Sequence, residues 1–262
     1  MKVFITGASS GLGEALAREY ARRAPGATIG LVARRGSELA RVAAQLPGVR
    51  VLSFALDVTD RQVLAEAAQE FMAQAGGPPD VVIANAGISA GTVTGEDGDA
   101  AVFARIVGVN VIAMFDTFAP FVPAMRAARA GALVGIASVA GIRGLPGAGA
   151  YSASKAAAIN YLESLRVELH GSGVAVVTVA PGFVRTPMTA RNPYSMPFLI
   201  DADAFARRAA DAIERRRSFV VIPWQMRVVA AVMRALPNAV YDRLAARRPR
   251  KPRVSDSAHP GA

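Results

Sequence analysis

Apolar runs recur along the first two-thirds of the chain, at 2–6, 28–33, 49–56, 81–84, 132–137 and 174–180. Each is continuous rather than alternating, the pattern of a strand buried on both faces. Amphipathic stretches fill the gaps, at about 12–24, 37–46, 60–75, 100–128 and 152–170, and read as helices. Asp60, just after "DVT", is placed to cap the third. Strands alternating with helices predict a parallel, doubly wound α/β sheet with right-handed crossovers. No linker or internal repeat interrupts the pattern before about residue 183, so a single domain is expected.

The pattern then changes. Residues 183–200, "FVRTPMTARNPYSMPFLI", carry three prolines and little periodicity. They read as a long loop, placed to act as a substrate lid. Residues 201–217 look helical again, and "SFVVIP" is a candidate seventh strand that closes the domain at residue 222. Residues 223–248 read as a helical extension, "WQMRVVAAVMRAL" and "NAVYDRLAARR" separated by Pro237. Residues 249–262 have the composition of a disordered tail.

Composition narrows the chemistry. The 262 residues are 52% hydrophobic and 19% charged, enough for a sizeable core. There is no cysteine, so neither disulfides nor thiolate catalysis are available. His170 and His259 are the only histidines, which excludes a histidine-rich metal site, and no metal is expected. No stretch is expected to reach the roughly 18 apolar residues of a spanning helix. The net charge of +10 is uneven: residues 1–200 carry +3 and residues 201–253 carry +8. A solvated helix face explains that excess; an anionic partner would also fit.

"TGASSGLG", Thr6–Gly13, follows the first strand and opens a helix. A glycine-rich turn there brings backbone N–H groups close to a pyrophosphate, and the helix N-terminus adds its positive dipole end. The spacing is G-x-x-x-G-x-G, without the lysine of a nucleoside-triphosphate loop.

Further motifs follow in order: "DV" at Asp57–Val58, "NAG" at Asn85–Gly87, Asn110, Ser138, "YSASK" at Tyr151–Lys155 and "PGFVRT" at Pro181–Thr186. With the glycine loop they resemble the classical short-chain dehydrogenase/reductase family over residues 1–222. The resemblance implies a Rossmann-like, seven-stranded parallel sheet and an oxidoreductase that moves a hydride between a nicotinamide cofactor and a ketone or secondary alcohol. It places Gly7, Ser9, Ser10, Gly11, Leu12 and Gly13 around the cofactor phosphates. Asp57 and Val58 would contact the adenine, and at Asn85, Ala86 and Gly87 small residues would let the backbone approach the cofactor. Pro181, Gly182, Val184 and Thr186 would lie on the nicotinamide side, although a structural turn explains "NAG" almost as well.

Reducing a ketone needs a proton for the developing alkoxide and a group that polarises the carbonyl. Tyr151 and Lys155, four apart on a predicted helix, face the same side. A nearby ammonium favours tyrosinate and lowers the phenol pKa. The resemblance makes Tyr151 the proton donor or acceptor and has Lys155 hold the nicotinamide ribose. Ser138, thirteen residues before Tyr151, would hydrogen-bond the substrate carbonyl. Asn110 would hold a relay water leading from Lys155; a satisfied core amide is the plainer reading of a buried Asn.

NAD-selective dinucleotide folds place Asp or Glu at the end of the second strand. Here that position reads Ala33-Arg34-Arg35. A guanidinium pairs with phosphate through two parallel hydrogen bonds. NADP(H) is therefore expected, with Arg34 the main ligand of the 2′-phosphate, Arg35 assisting and Ser9 adding a hydroxyl. Met, Phe, Tyr and Pro in the lid suggest an apolar carbonyl or alcohol. The alternative is a non-catalytic, NADP(H)-sensing protein on the same fold. A nucleic-acid partner is not expected. A homo-oligomer, dimer or tetramer, is expected from the resemblance, and a cytoplasmic location. "PWQMRVVAAVMRAL", residues 223–236, is too short a helix to span a bilayer, but residues 224–248 are a candidate for peripheral contact with the inner face of a membrane. Packing within the protein or against another subunit is equally open to them.

Overall fold

The structure, a computed structural model, describes residues 1–190, 192–247 and 249–253. The first six apolar runs become β1 (Lys2–Thr6), β2 (Thr28–Ala33), β3 (Arg50–Ala55), β4 (Val81–Ala84), β5 (Ala132–Ile136) and β6 (Ala175–Pro181). Two short strands, β7 (Val184–Arg185) and β8 (Ile200–Asp201), pair only with each other, and β9 (Phe219–Ile222) is the expected seventh strand of the main sheet. Between the strands run α1 (Gly11–Arg23), α2 (Gly36–Ala44), α3 (Arg61–Ala75), α4 (Asp99–Val107), α5 (Ala113–Phe118), α6 (Val122–Ala128), α7 (Gly149–Glu168) and α8 (Ala202–Glu214). Two more helices follow, α9 (Trp224–Ala235) and α10 (Asn238–Ala245), divided at Pro237 as expected. Asp60 caps α3, accepting from Val63 N–H at 3.2 Å.

The sheet is parallel throughout, in the order β3-β2-β1-β4-β5-β6-β9. This is the predicted Rossmann-like α/β fold in one domain. Successive strand residues point to opposite faces. Val3 and Ile5 join the core under α1, α2 and α8, with Leu16, Leu39 and Phe205. Phe4 points the other way, among Phe71, Phe121 and Leu162 from the opposite layer. Strand order reverses between β1 and β4, and the crevice at their carboxyl ends is where such sheets bind ligands.

The expected helix over 100–128 is broken. α4 passes into a π-helical turn, Gly108–Ile112, before α5 resumes. Asp99–Phe118 is still one 20-residue rod, apolar enough to cross a membrane by length and composition alone. It carries Asp99, Arg105 and Asp116 and packs against α7 and α3. Pro120 and Pro123 then interrupt the ladder, because neither has an N–H to donate.

At the far end, α9 packs Met226 and Ala230 inward and leaves Trp224, Val228 and Val232 exposed. Arg143 holds its C-terminus, donating to the carbonyls of Met233 at 2.6 Å and Leu236 at 2.7 Å. The same guanidinium stacks 4.0 Å from the centre of the Tyr241 ring on α10. Disorder was expected over 249–262, but residues 249–253 lie bound against the body, with Gly91 N–H donating to the Pro252 carbonyl at 2.9 Å. Residues 254–262 lie outside the described residues.

Candidate active site

A cleft of about 380 Å³ opens at the carboxyl ends of the strands. Its floor at one end is the glycine loop between β1 and α1, and Gly7, Ser9, Ser10, Gly11 and Leu12 line it. Ser10 begins α1 with no side-chain cap, so the first turn offers its N–H groups and dipole to whatever occupies the cleft. Gly7 sits at φ +67°, and a Cβ there would come within 2.8 Å of the Ala86 Cα. Gly13, expected around the phosphates, does not line the cleft. A side chain there would overlap the Gly7 carbonyl, so its glycine serves the close packing of α1 beneath the loop. Asn85, Ala86 and Gly87 line the cleft as expected. The Asn85 amide, however, is spent on the loop itself, donating to Thr6 O at 2.9 Å and Gly7 O at 3.2 Å. The Thr6 hydroxyl in turn accepts from the N–H groups of Asn85 and Ala86.

Arg34, Arg35, Asp57 and Val58 gather at the end formed by β2 and β3. Both arginines are exposed. Arg35 donates to the Ser9 hydroxyl at 3.3 Å. Arg34, expected as the leading phosphate ligand, instead reaches towards the Asp57 carboxylate at 3.7 Å. Burial pushes the Asp57 carboxyl up, but hydrogen bonds from the Thr59 N–H and hydroxyl and the Arg34 charge outweigh it. The group is held below its usual value.

Ser138, Tyr151 and Lys155 converge at the other end. Ser138 follows β5 and starts a 3₁₀ turn, its hydroxyl accepting from Ala140 N–H at 3.1 Å. Tyr151 and Lys155 lie in the first two turns of α7. Lys155 is buried, donates to the Ile136 carbonyl at 2.8 Å, and stands 5.9 Å from the centre of the Tyr151 ring. Burial pushes Lys155 down to about 8. The Tyr151 phenol is shifted up, not down as the spacing suggested. Burial dominates it, the Ser138 hydroxyl opposes, and Tyr194 of the lid adds to the rise. The Lys155 ammonium is directed to the Ile136 carbonyl at the end of β5.

Asn110 does not line the cleft. It sits fully buried in the π turn. Its Oδ1 accepts from Ile88 N–H at 2.9 Å, and its Nδ2 donates to Ile88 O at 3.1 Å and Ser154 Oγ at 2.9 Å. The side chain is thus a clamp between the strand-end loop and α7. Pro181, Gly182, Val184 and Thr186 line the remaining wall. Thr186 is knotted to Thr189, whose hydroxyl it meets at 3.2 Å. Phe183 and Tyr194 stack at 6.3 Å within the lid.

The family model for short chain dehydrogenases matches residues 1–195. The chain belongs to the short-chain dehydrogenase family. It is an oxidoreductase of that family, and it is 41% identical over 245 residues to an uncharacterized oxidoreductase of Myxococcus xanthus, covering 93% of this chain and 95% of the relative. Among solved short-chain dehydrogenases, one from Sphingobium yanoikuyae in complex with NADPH aligns with a TM-score of 0.76 and 29% identity, over 91% of this chain and 97% of its own. Another, from Burkholderia phymatum in complex with NAD, aligns with a TM-score of 0.80 and 25% identity, over 96% of each chain.

Three features of this short-chain dehydrogenase escaped the sequence reading. Thr189 and Met188 of the lid line the cleft, and the threonine pair in "TPMT" was the available signal. Ser154, buried in "YSASK", joins Asn110 to the Tyr151 carbonyl, to which it donates at 2.8 Å. Lys251 reaches Ser89 from the tail, with its Nζ 6.0 Å from the centre of the Tyr151 ring. Nothing local in the sequence marks that last contact.

Proposed function

We propose that the protein is an NADP(H)-dependent oxidoreductase acting on an apolar ketone or the matching secondary alcohol. The observation that carries this reading is one cleft with Ser138, Tyr151 and Lys155 at one end and Ser9, Arg34 and Arg35 at the other. The donors fit a dinucleotide: an uncapped helix N-terminus for the pyrophosphate, a buried lysine for ribose hydroxyls, and a β2 end with arginines where NAD-selective folds carry an acid. Bound there, the nicotinamide supplies the hydride, or takes it back when the alcohol is oxidised.

The chain's own residues do the rest. The Ser138 hydroxyl hydrogen-bonds the substrate oxygen and fixes its direction. The Tyr151 hydroxyl gives its proton to that oxygen as negative charge develops, or accepts it in oxidation. An elevated phenol pKa keeps the proton on Tyr151 at neutral pH, the form that reduction needs. Lys155 holds the ribose from the floor of the site, and Asn110 keeps the Ile88 segment in place beside it. Met188 lines the cleft, with Phe183 and Tyr194 paired in the same lid, an apolar setting that favours an apolar substrate body. Arg35 with Ser9, and Arg34 beside Asp57, form the seat for the 2′-phosphate.

The test is turnover of NADPH with a panel of ketones. Tyr151→Phe is expected to abolish it while leaving NADPH binding measurable. NADPH should exceed NADH in kcat/KM, and Arg34→Ala and Arg35→Ala should each narrow the gap. Equal use of both cofactors by the unmodified protein sinks the NADP(H) assignment. Phe103, Ile112, Phe115 and Val167 stand exposed on the α4–α5 rod and α7. They support self-association, for which light scattering of the eluting protein is the check.

A further inference from the structure

Residues 249–253 run past Gly91, in the loop beyond β4, and Gly147, in the turn before α7. Gly91 and Arg253 form a parallel bridge, and a side chain at Gly91 would overlap the Lys251 carbonyl. Arg253 pairs with Glu96 and with Asp99, each at 3.0 Å, and Asp99 also accepts from Val93 N–H at 2.7 Å. The Arg250 side chain covers Gly147, where a Cβ would come within 2.8 Å of it. Between these contacts, Thr92 N–H donates to the Gly147 carbonyl at 3.0 Å, and the Thr92 hydroxyl accepts from Ala150 N–H at 3.2 Å. Ala150 directly precedes Tyr151. The tail is thereby keyed to the segment that carries the proton donor.

Lys251 stands apart from these matched contacts. Its ammonium donates to the Ser89 hydroxyl at 2.8 Å. Among the described residues no carboxylate lies within ion-pairing distance of it, in contrast to Arg253 two positions on. The side chain is half-buried, and burial shifts its pKa down. An ammonium has three donors, and Ser89 accounts for one. A cation desolvated without a counter-charge costs free energy, and an apolar residue of the same length would pack the tail without that cost. Lys155 and Lys251 stand 5.9 and 6.0 Å from the centre of the Tyr151 ring, but their anchors differ. Lys155 is tied to the end of β5, Lys251 to the loop beyond β4.

We infer that Lys251 and Ser89 form an anion subsite beside Tyr151, and that the substrate carries a carboxylate a few bonds from the reacting carbon. This deepens the proposed function and rests on it. The substrate is then amphipathic. Its apolar body lies towards Phe183, Met188 and Tyr194, its carbonyl or hydroxyl at Tyr151 and Ser138, and its carboxylate at Lys251. A purely apolar ketone leaves the Lys251 charge unanswered.

Two probe series test this on the full chain. The first is a set of aryl keto acids of increasing chain length, including 3-benzoylpropionate, each with its methyl ester. The ratio of kcat/KM for acid over ester is expected to be about tenfold or more for the best-fitting length, the scale of one charge-assisted contact. Lys251→Met should bring that ratio close to one, and Lys251→Arg should retain most of it. The second series is 4-phenylbutanoate and its homologues with their esters, which have no carbonyl to reduce. Their binding to the NADP⁺-loaded protein, by calorimetry, should show the same preference for the acid and the same loss in Lys251→Met. This arm reads the subsite even if no ketone is turned over, so failure of the proposed reaction and failure of the subsite give different results. Equal binding of acid and ester by the unmodified protein overturns the inference. So does an acid-to-ester ratio that survives in Lys251→Met, the result expected if the lysine only supports Tyr151 electrostatically. Absence of binding by every acid in the second series overturns it as well.

Discussion

Asn110→Ala separates a structural clamp from a passive core amide. The substitution strips the Ile88 N–H and C=O of their side-chain partner. It also removes a donor from Ser154, which keeps its own bond to the Tyr151 carbonyl. Leaving a buried polar group unpaired costs about 1–3 kcal/mol. Ile88 is only part-buried, so water recovers some of that, and Ser154 adds little. The total expected is about 2–4 kcal/mol, combining two partly compensated groups with a small cavity. For a chain of this size that corresponds to a fall in Tm of about 5–15 °C. Equilibrium urea unfolding, followed by far-UV circular dichroism, measures it directly. Ser154→Ala is the comparison: it removes one acceptor of the clamp and leaves both Ile88 bonds intact, so it should cost less than half as much. A midpoint for Asn110→Ala indistinguishable from the unmodified protein, or a larger loss in Ser154→Ala, would refute the reasoning.

Burial pushes Lys155 down to about 8, so the proposed donor to the ribose hydroxyls is an ammonium below that pH and a neutral amine above it. NADPH affinity, followed by fluorescence quenching, should fall as pH rises through about 8, by at most tenfold per unit, with the step absent in Lys155→Met. Gly13→Ala drives a methyl into the Gly7 carbonyl; it should destabilise by about 1–3 kcal/mol through forced backbone movement, and weaken NADPH binding more than any single contact loss. Arg253→Ala removes both ion pairs that hold the tail, so hydrogen exchange at 249–253 and at Gly91 should accelerate while the β-sheet amides stay protected. Arg143→Ala should loosen α9 and α10 together, read as faster proteolysis after residue 223 with the remainder of the chain left resistant.

Much of this architecture is legible from local pattern because each strand and helix is fixed by its own periodicity. The seven strands, the Pro237 break and the Asp60 cap are of this kind. The convergence of Ser138, Tyr151 and Lys155 is legible too, since strand ends and helix starts meet at the carboxyl edge of any such sheet. The π turn is not, because the composition of "IVGVNVIAM" suits an α and a π backbone alike. The packing of Gly13 against the Gly7 carbonyl is not legible either, because a glycine that admits a ligand and one that admits a neighbouring carbonyl look alike in sequence. The Tyr151 shift was misjudged because spacing places Lys155 on the same face but does not say that its ammonium turns to Ile136. The tail's docking depends on Asp99, 154 positions away from Arg253, and charged residues in a proline-containing tail carry no trace of such partners.

Order of synthesis gives the bound tail a further meaning. Every residue that lines the cleft lies at or before Thr189, and the last strand of the main sheet ends at Ile222. A nascent chain grows from its N-terminus, and units fold as they emerge. The sequence of the sheet and of the cleft is therefore complete before Lys251 is added. Such a chain holds every strand of the main sheet before it holds the segment that docks at Gly91. A chain cut after residue 247 should then still bind NADPH but lose the preference for an acid over its ester.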